Sequence, residues 1–409
     1  MKFFSTDGIR GHEKELISTD IVFNLGSIIG SKSKRILLGQ DTRKSSPLIS
    51  DMLINGLITQ GCNVDFVGIC PTPMISFLLK NNDYDYGFMI TASHNPYFDN
   101  GIKVFSKNGE KLSKKECEEI VEELTLKRPF SFNIKLGELK YINDNSYIDF
   151  INSQIDFKNR FKIVIDVSNG SNFELINKLK IDNIKVINNM PNGVNINDNV
   201  GALFPENLQN YLKENDYDYG FCFDGDGDRL ILVSKDRIYN GDDLIYLLSK
   251  SLNIDKVVIT SSSNRGLISS LEKLNIKTLI SSVGDANVLT MMKENNVSLG
   301  GEVSGHLIFI NYQSSDSLYS LIKVLRVLNN HNIECFDKYY EINKNISLNN
   351  ENSLNIENIK KELNELINKE DYLLIRESGT EEVLRVNIQT RKVDNYQMYN
   401  NYFTKMETK

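Results

Sequence analysis

The chain has 409 residues, 40% hydrophobic and 25% charged, with 47 Lys plus Arg against 54 Asp plus Glu. That is enough apolar mass for about two to four domains, and its net charge of −7 argues against the basic stripe of a nucleic-acid binder. No run approaches the roughly 20 apolar residues of a membrane span, Asp7 interrupts the start before any signal-peptide core forms, and five scattered cysteines without a CxxC pair read as reduced thiols of a cytoplasmic protein.

The run 35–41 reads as a buried strand ending at a Gly/Asp turn, and 50–61 follows with the helical spacing of Met52, Leu53, Leu57 and Ile58. Residues 63–67 are again strand-like, and the rhythm returns at 161–166 and 256–260. Such alternation predicts largely parallel sheets covered by helices. The heptapeptide NDYDYGF occurs at both 82–88 and 215–221, and a looser copy begins at Lys293. A polar loop follows each copy: 91–96 (TASHNP), 224–229 (DGDGDR) and 301–306 (GEVSGH). We read three related α/β domains in tandem, each presenting one loop at the carboxyl end of a strand, where open α/β sheets place ligands. The last seventy or so residues differ. An Asn- and Glu-rich stretch at 343–358 precedes a helix-like 359–368 and a strand-like 372–375, which predicts a smaller α+β domain joined by a helix around 318–328. The expected boundaries are 1–150, 151–250, 251–338 and 339–409.

Asp224, Asp226 and Asp228 alternate with Gly225 and Gly227, so three carboxylates can converge on one hard divalent cation. An EF-hand is excluded, because its glycine and terminal glutamate positions would fall on Arg229 and Lys235; a solvated acidic turn is the plainer competitor. Ser93, flanked by His94 and Asn95, is a candidate nucleophile or phosphate carrier, although Ser/Asn/Pro clusters also make ordinary turns. A phosphoserine would add about −1.5 to −2 charge, so it needs nearby cations, and Arg10, Lys103 and Arg229 are available. The segment 376–385 brackets Ser378, Gly379 and Thr380 with Arg376 and Arg385 and reads as a phosphate cradle. Ser378 and Glu381 also fit a helix capping box, but the alternation from Val383 to Ile388 favours a strand. Glu302, Ser304 and His306 alternate in a Gly-rich loop that could present hydrogen-bonding groups to sugar hydroxyls, although a lone histidine in such a loop is more often structural. No P-loop or dinucleotide fingerprint is present.

Taken in order, the segments 5–11, 91–96, 224–229, 301–306 and 376–381 resemble the α-D-phosphohexomutase family over nearly the whole chain. The stretches 97–112 and 192–202 resemble its glucosamine branch, the bacterial phosphoglucosamine mutases. The resemblance implies four domains around a central cleft and an isomerase that interconverts glucosamine 6-phosphate and glucosamine 1-phosphate through a 1,6-bisphosphate. It makes Ser93 the phosphoryl carrier and gives one Mg²⁺ to Ser93, Asp224, Asp226 and Asp228. It assigns Arg10, His94, Lys103 and Arg229 to the transfer site, Lys103 as acid/base, and Glu302, Ser304 and His306 to the sugar. Arg376, Ser378, Gly379, Thr380 and Arg385 take the other phosphate. Glucosamine 1,6-bisphosphate is implied as activator and intermediate. The only expected partner is the phosphosugar, without nucleic acid or membrane, for a cytoplasmic monomer or homodimer. Two departures stand out: Ala286 and Asn287 replace basic and aromatic residues, and Glu382 replaces a common proline. The alternatives are a phosphomannomutase/phosphoglucomutase of the same family, an aspartyl-phosphate phosphatase using Asp224, and a sugar-phosphate sensor.

Overall fold

The apolar run after Lys34 forms the strand Arg35–Gln40, buried from Ile36 onward. Pro47 opens the helix Ser46–Thr59 in its first turn, where its missing N–H costs nothing. The chain then returns as Asn63–Ile69, parallel to the first strand. The computed structural model describes residues 4–5, 8–17, 20–126, 135–347, 356–377 and 383–407. The chain packs as two units, Met1–Leu244 with Ser304–Asn332, and Ile245–Val303 with Ile333–Lys409.

Within the first unit, one sheet runs, among the described residues, in the order Phe4–Ser5, Gly8–His12, Asp99–Ser106, Tyr86–Ile90, Arg35–Gln40, Asn63–Ile69, Leu139–Tyr141. A second runs Ile238–Tyr239, Leu230–Val233, Tyr219–Phe223, Ile163–Asp166, Ile184–Ile187. Pairing is parallel on one side of each sheet and antiparallel on the other. The expectation of largely parallel sheets therefore holds for only part of each. The reversal falls at Tyr86–Ile90 and Tyr219–Phe223, each of which turns straight back into an antiparallel neighbour. Those two turns are the polar loops 91–98 and 224–229. The helix expected around 318–328 runs Ser317–Asn330; Asp316 caps it, and ten of its residues are buried. It is a core helix of this unit rather than a bare connector.

In the second unit, Lys277–Ser281, Lys256–Thr260 and Leu299–Gly301 pair in parallel. A separate antiparallel sheet places Val383–Thr390 between Tyr340–Ser347 and Tyr372–Glu377. The Asn- and Glu-rich stretch thus begins as a strand despite its low apolar content. Eight consecutive rungs to Val383–Thr390 satisfy its backbone, and Ile342 and Ile346 reach a core with Leu363, Leu384, Ile388, Tyr399 and Phe403. Among the described residues, no helix is long and apolar enough to cross a membrane.

The sequence repeat is also a structural one. Asn82 and Asn215 each end a helix in extended conformation, and their Nδ2 groups return to Leu78 O and Tyr211 O. Asp85 and Asp218 accept from backbone N–H groups of the neighbouring strand, at Lys34 and Arg35 and at Lys162. Gly87 and Gly220 then let the preceding helix close on the strand: a Cβ on Gly220 would lie 2.6 Å from Leu208 Cδ2. The third copy keeps the glycine, Gly300 against Met292, but ends its helix on a left-handed Asn296. Leu208 and Leu212 are fully buried, so the space cannot open cheaply. Gly220→Ala is therefore expected to destabilise the first unit by roughly 1–3 kcal/mol, read as a lower urea midpoint.

Candidate active site

Ser93 follows the buried strand Tyr86–Ile90 and takes a left-handed backbone, φ 53°, which is uncommon for a non-glycine residue. Its surroundings enforce that shape. Arg43 is only 1% exposed and pairs with Asp41 at 2.8 Å. Its guanidinium donates to the carbonyls of Ser93 (2.9 Å), Asn95 (2.8 Å) and Asp99 (2.9 Å), and also to that of Pro96. A planar fork with five N–H donors suits this task.

The aspartate loop turns between Tyr219–Phe223 and Leu230–Val233. A Cβ on Gly225 would lie 2.7 Å from Ser93 O, and Gly227 has φ 72° with Asn172 Nδ2 only 2.3 Å from its hypothetical Cβ. Both glycines are therefore required, one for close approach and one also for its backbone region. Asp224, Asp226 and Asp228 are buried, and each offers an oxygen within 4.8 Å of the others. Ser93 Oγ donates to Asp224 Oδ2 at 2.8 Å. Lys103, buried on Asp99–Ser106, reaches Asp226 at 2.5 Å and Asp228 at 3.0 Å. The Thr72 hydroxyl also binds Asp226 Oδ2, whereas Asp226 Oδ1 is buried and lacks a hydrogen-bond partner.

The electrostatics follow from crowding. Burial, with the charges of Asp228 and Asp226, raises the Asp224 carboxyl to about 7. Burial works the same way on Asp228, but Lys103, His306 and Arg229 hold that carboxyl well below the usual range. Burial would lower Lys103, yet Asp226 and Asp228 outweigh it and keep the ammonium charged. Burial, followed by the positive charges of Arg229 and Arg10, pushes His94 down to about 2, so its imidazole is neutral. An orphaned buried carboxylate oxygen within an all-oxygen donor set fits a hard divalent cation.

The structure brings together most of the sequence-predicted residues of the first unit. Arg229 Nε lies 3.6 Å from Asp224, and His94 Nδ1 lies 3.4 Å from Ser93 Oγ. Arg10 is half-buried on Gly8–His12. His306 Nε2 is 3.0 Å from Asp228 Oδ1 and 3.3 Å from Arg229 Nε. One ring nitrogen cannot donate and accept at once, and the shorter contact selects Nε2–H on the carboxylate. Ser304 Oγ lies 3.2 Å from the other ring nitrogen. These two residues, expected at the sugar, are engaged with the aspartate loop and with each other.

In the second unit, the Glu302 carboxylate accepts from Gly284 N at 2.8 Å. Arg376 and Arg385 face each other as cross-strand partners, and burial followed by the Arg385 charge lowers Arg376. Two adjacent guanidiniums form an anion-attracting pair. Ser378, Gly379, Thr380 and Glu382 lie outside the described residues. Asn287 donates through Nδ2 to Val283 O at 2.9 Å, in the turn that leads into its own helix. Sequence reasoning missed Arg43 and Thr72; a buried run ending in Asp-Thr-Arg at 41–43 was the available signal for the first.

Models of the phosphoglucomutase/phosphomannomutase α/β/α domains match the chain three times in succession: domain I at residues 1–129, domain II at 145–237 and domain III at 240–344. The chain belongs to the phosphoglucomutase/phosphomannomutase family. It is 39% identical to a phosphoglucosamine mutase of Nautilia profundicola, over 94% of each chain. It is 35% identical to that of Bacillus subtilis, over 94% of this chain and 93% of the relative. A phosphoglucomutase/phosphomannomutase family protein from Burkholderia thailandensis shares the fold, with TM-score 0.81 at 22% identity over 99% of this chain and 96% of that one. The protein is thus an isomerase of this family, with three tandem α/β domains followed by a small sheet domain.

Removing the guanidinium in Arg43→Met leaves Asp41 charged and buried without its partner. The expected cost is about 3–5 kcal/mol, seen in urea unfolding of the first unit, with Arg43→Lys recovering only part because an ammonium lacks the fork.

Proposed function

We propose that the protein interconverts glucosamine 6-phosphate and glucosamine 1-phosphate, with Ser93 as the phosphoryl carrier. The observation that carries this reading is the Ser93 hydroxyl, 2.8 Å from a carboxylate of a buried aspartate trio. Full-length relatives named phosphoglucosamine mutase support the choice of sugar.

In the forward direction, phosphorylated Ser93 gives its PO₃ group to the C1 hydroxyl of glucosamine 6-phosphate. The P–O bond to serine breaks as the bond to the sugar oxygen forms, yielding glucosamine 1,6-bisphosphate. After the intermediate turns over, the Ser93 oxygen takes the C6 phosphate and glucosamine 1-phosphate leaves. The same bisphosphate serves as activator by loading Ser93. Phosphoryl transfer asks mainly for positioning and charge neutralisation. Mg²⁺ held by Asp224, Asp226, Asp228 and the serine oxygen would neutralise charge on the transferring group. Lys103, kept protonated by two aspartates, is suited to give a proton to the departing serine oxygen and to regain one from the attacking sugar hydroxyl, so that the transfer is neutral in protons. Arg10 and Arg229 offset the phosphoserine charge, and neutral His94 adds a ring nitrogen without adding charge. Glu302 with Ser304 and His306 is assigned to the sugar end, and Arg376 and Arg385 to the phosphate not in transit. The activity would supply amino sugar for peptidoglycan precursors in the cytoplasm, from a monomer or homodimer.

A coupled assay tests this directly. Ser93→Ala is expected to lose at least a thousandfold in kcat, and chelation to abolish turnover until Mg²⁺ is restored. Intact mass should show a phosphate-sized gain with the bisphosphate in the parent protein and none in Ser93→Ala. Full turnover without the serine oxygen, or a clear preference for glucose or mannose 6-phosphate, would refute the reading.

Arg376→Gln and Arg385→Gln each remove charge-assisted donors worth about 1.5–3 kcal/mol. Each is expected to lower kcat/KM about 10- to 100-fold, mainly through KM, in steady-state kinetics with glucosamine 6-phosphate.

A further inference from the structure

Asn197 lies in the 192–202 stretch, which the catalytic scheme leaves without a task. It is 6% exposed, and it donates through Nδ2 to Ser93 O at 2.8 Å and to Asn95 O at 3.1 Å. The carbonyl of Ser93 thus has two donors, Arg43 from the side of its own sheet and Asn197 from the side of the aspartate sheet. Asn197 is itself anchored. Its N–H donates to Ser168 O at 3.0 Å, and it has a left-handed backbone, φ 56°. Ser168 N in turn donates to buried Asp166, whose second oxygen accepts from Gly201 N at 2.9 Å. The amide group also packs beside the aspartate loop, because a Cβ on Gly225 would come within 2.8 Å of Asn197 Nδ2.

We propose that Asn197 is a positioning residue for the nucleophile: it ties the backbone of the serine loop to the aspartate sheet and so fixes Ser93 Oγ against Asp224. The reasoning is geometric. Ser93 sits in a backbone region that a serine leaves readily, and a hydroxyl displaced by 1 Å loses transfer rate steeply. Arg43 holds the loop to its own sheet, and its guanidinium bonds reach Asp41 and the serine loop rather than the aspartate loop. Asn197 supplies that second constraint, and Asp166 with Ser168 and Gly201 holds Asn197 in place. The inference rests on the phosphoserine reading for its kinetic consequence, but not for its structural one.

Asn197→Gly and Asn197→Asp both suit a positive φ, so each removes the donor without straining the turn. Aspartate is the sharper probe because it sets an acceptor against two carbonyls. In the full chain, hydrogen exchange of the peptide spanning 91–99 should accelerate at least tenfold in Asn197→Gly, with the peptide spanning 163–166 unchanged. Phosphorylation of Ser93 by glucosamine 1,6-bisphosphate, followed by intact mass in single turnover, should slow at least tenfold in both variants. KM for glucosamine 6-phosphate should stay within twofold while kcat falls. Unchanged exchange in the serine loop overturns the proposal whatever the enzyme catalyses. A KM increase with kcat intact also overturns it, since it would place Asn197 on the substrate. A parent protein that fails to interconvert the sugar phosphates counts against the proposed function alone, and the exchange result still decides the positioning role.

Discussion

Three carboxylates buried within 4.8 Å of one another set the terms for the rest of this protein. Like charges so close and so dry are tolerated only when cations face them or one of them takes a proton. Both remedies are visible. Lys103 is driven into the interior between Asp226 and Asp228, Arg229 and His306 lie against Asp224 and Asp228, and Asp224 titrates near neutrality. Crowding of this kind is what a hard divalent cation relieves, and the three carboxylates are placed so that they could hold one.

Positioning is the second constraint, and it falls to the backbone. Both chemical loops sit where a parallel sheet reverses into an antiparallel edge, so each is short and anchored at both ends. The serine loop is tied down through its carbonyls by Arg43, while Gly225 lets the aspartate loop approach its backbone to within van der Waals contact. The helix Ser317–Asn330 completes the frame. Ser317 N donates to Gly227 O, and Ser315 Oγ donates to Asp228 O at 2.6 Å. Buried Asp316 fixes that helix start, with two tyrosine hydroxyls and two backbone N–H groups as donors. Its carboxyl is raised to about 6, chiefly by burial.

The motifs that carry chemistry were legible because their residue types are costly elsewhere. Alternating Asp and Gly has few stable uses in an interior, and Ser93 after an apolar run stands out for the same reason. The heptapeptide repeat was legible too, since Asn and Asp there perform identical capping and strand-end tasks in two domains. Less was visible where one side chain answers to a distant one. Asp-Thr-Arg at 41–43 hints at a buried charge but not at the four carbonyls, 50 to 56 residues later, that Arg43 holds. Nothing in the loop 301–306 reveals that His306 also reaches Asp228, 78 residues earlier. The strand Tyr340–Ser347 escaped because its support is a partner strand about forty residues later, and its own composition is polar.

Sequence alone determined the class of fold, the order of its domains and the inventory of candidate reactive groups, because periodicity, turn chemistry and residue type are local properties of the chain. Tertiary structure decided which groups meet, with what protonation, and which ordinary asparagines and arginines hold them there. Those outcomes depend on distances between segments far apart in sequence, and on a dielectric that exists only after the core has closed around them.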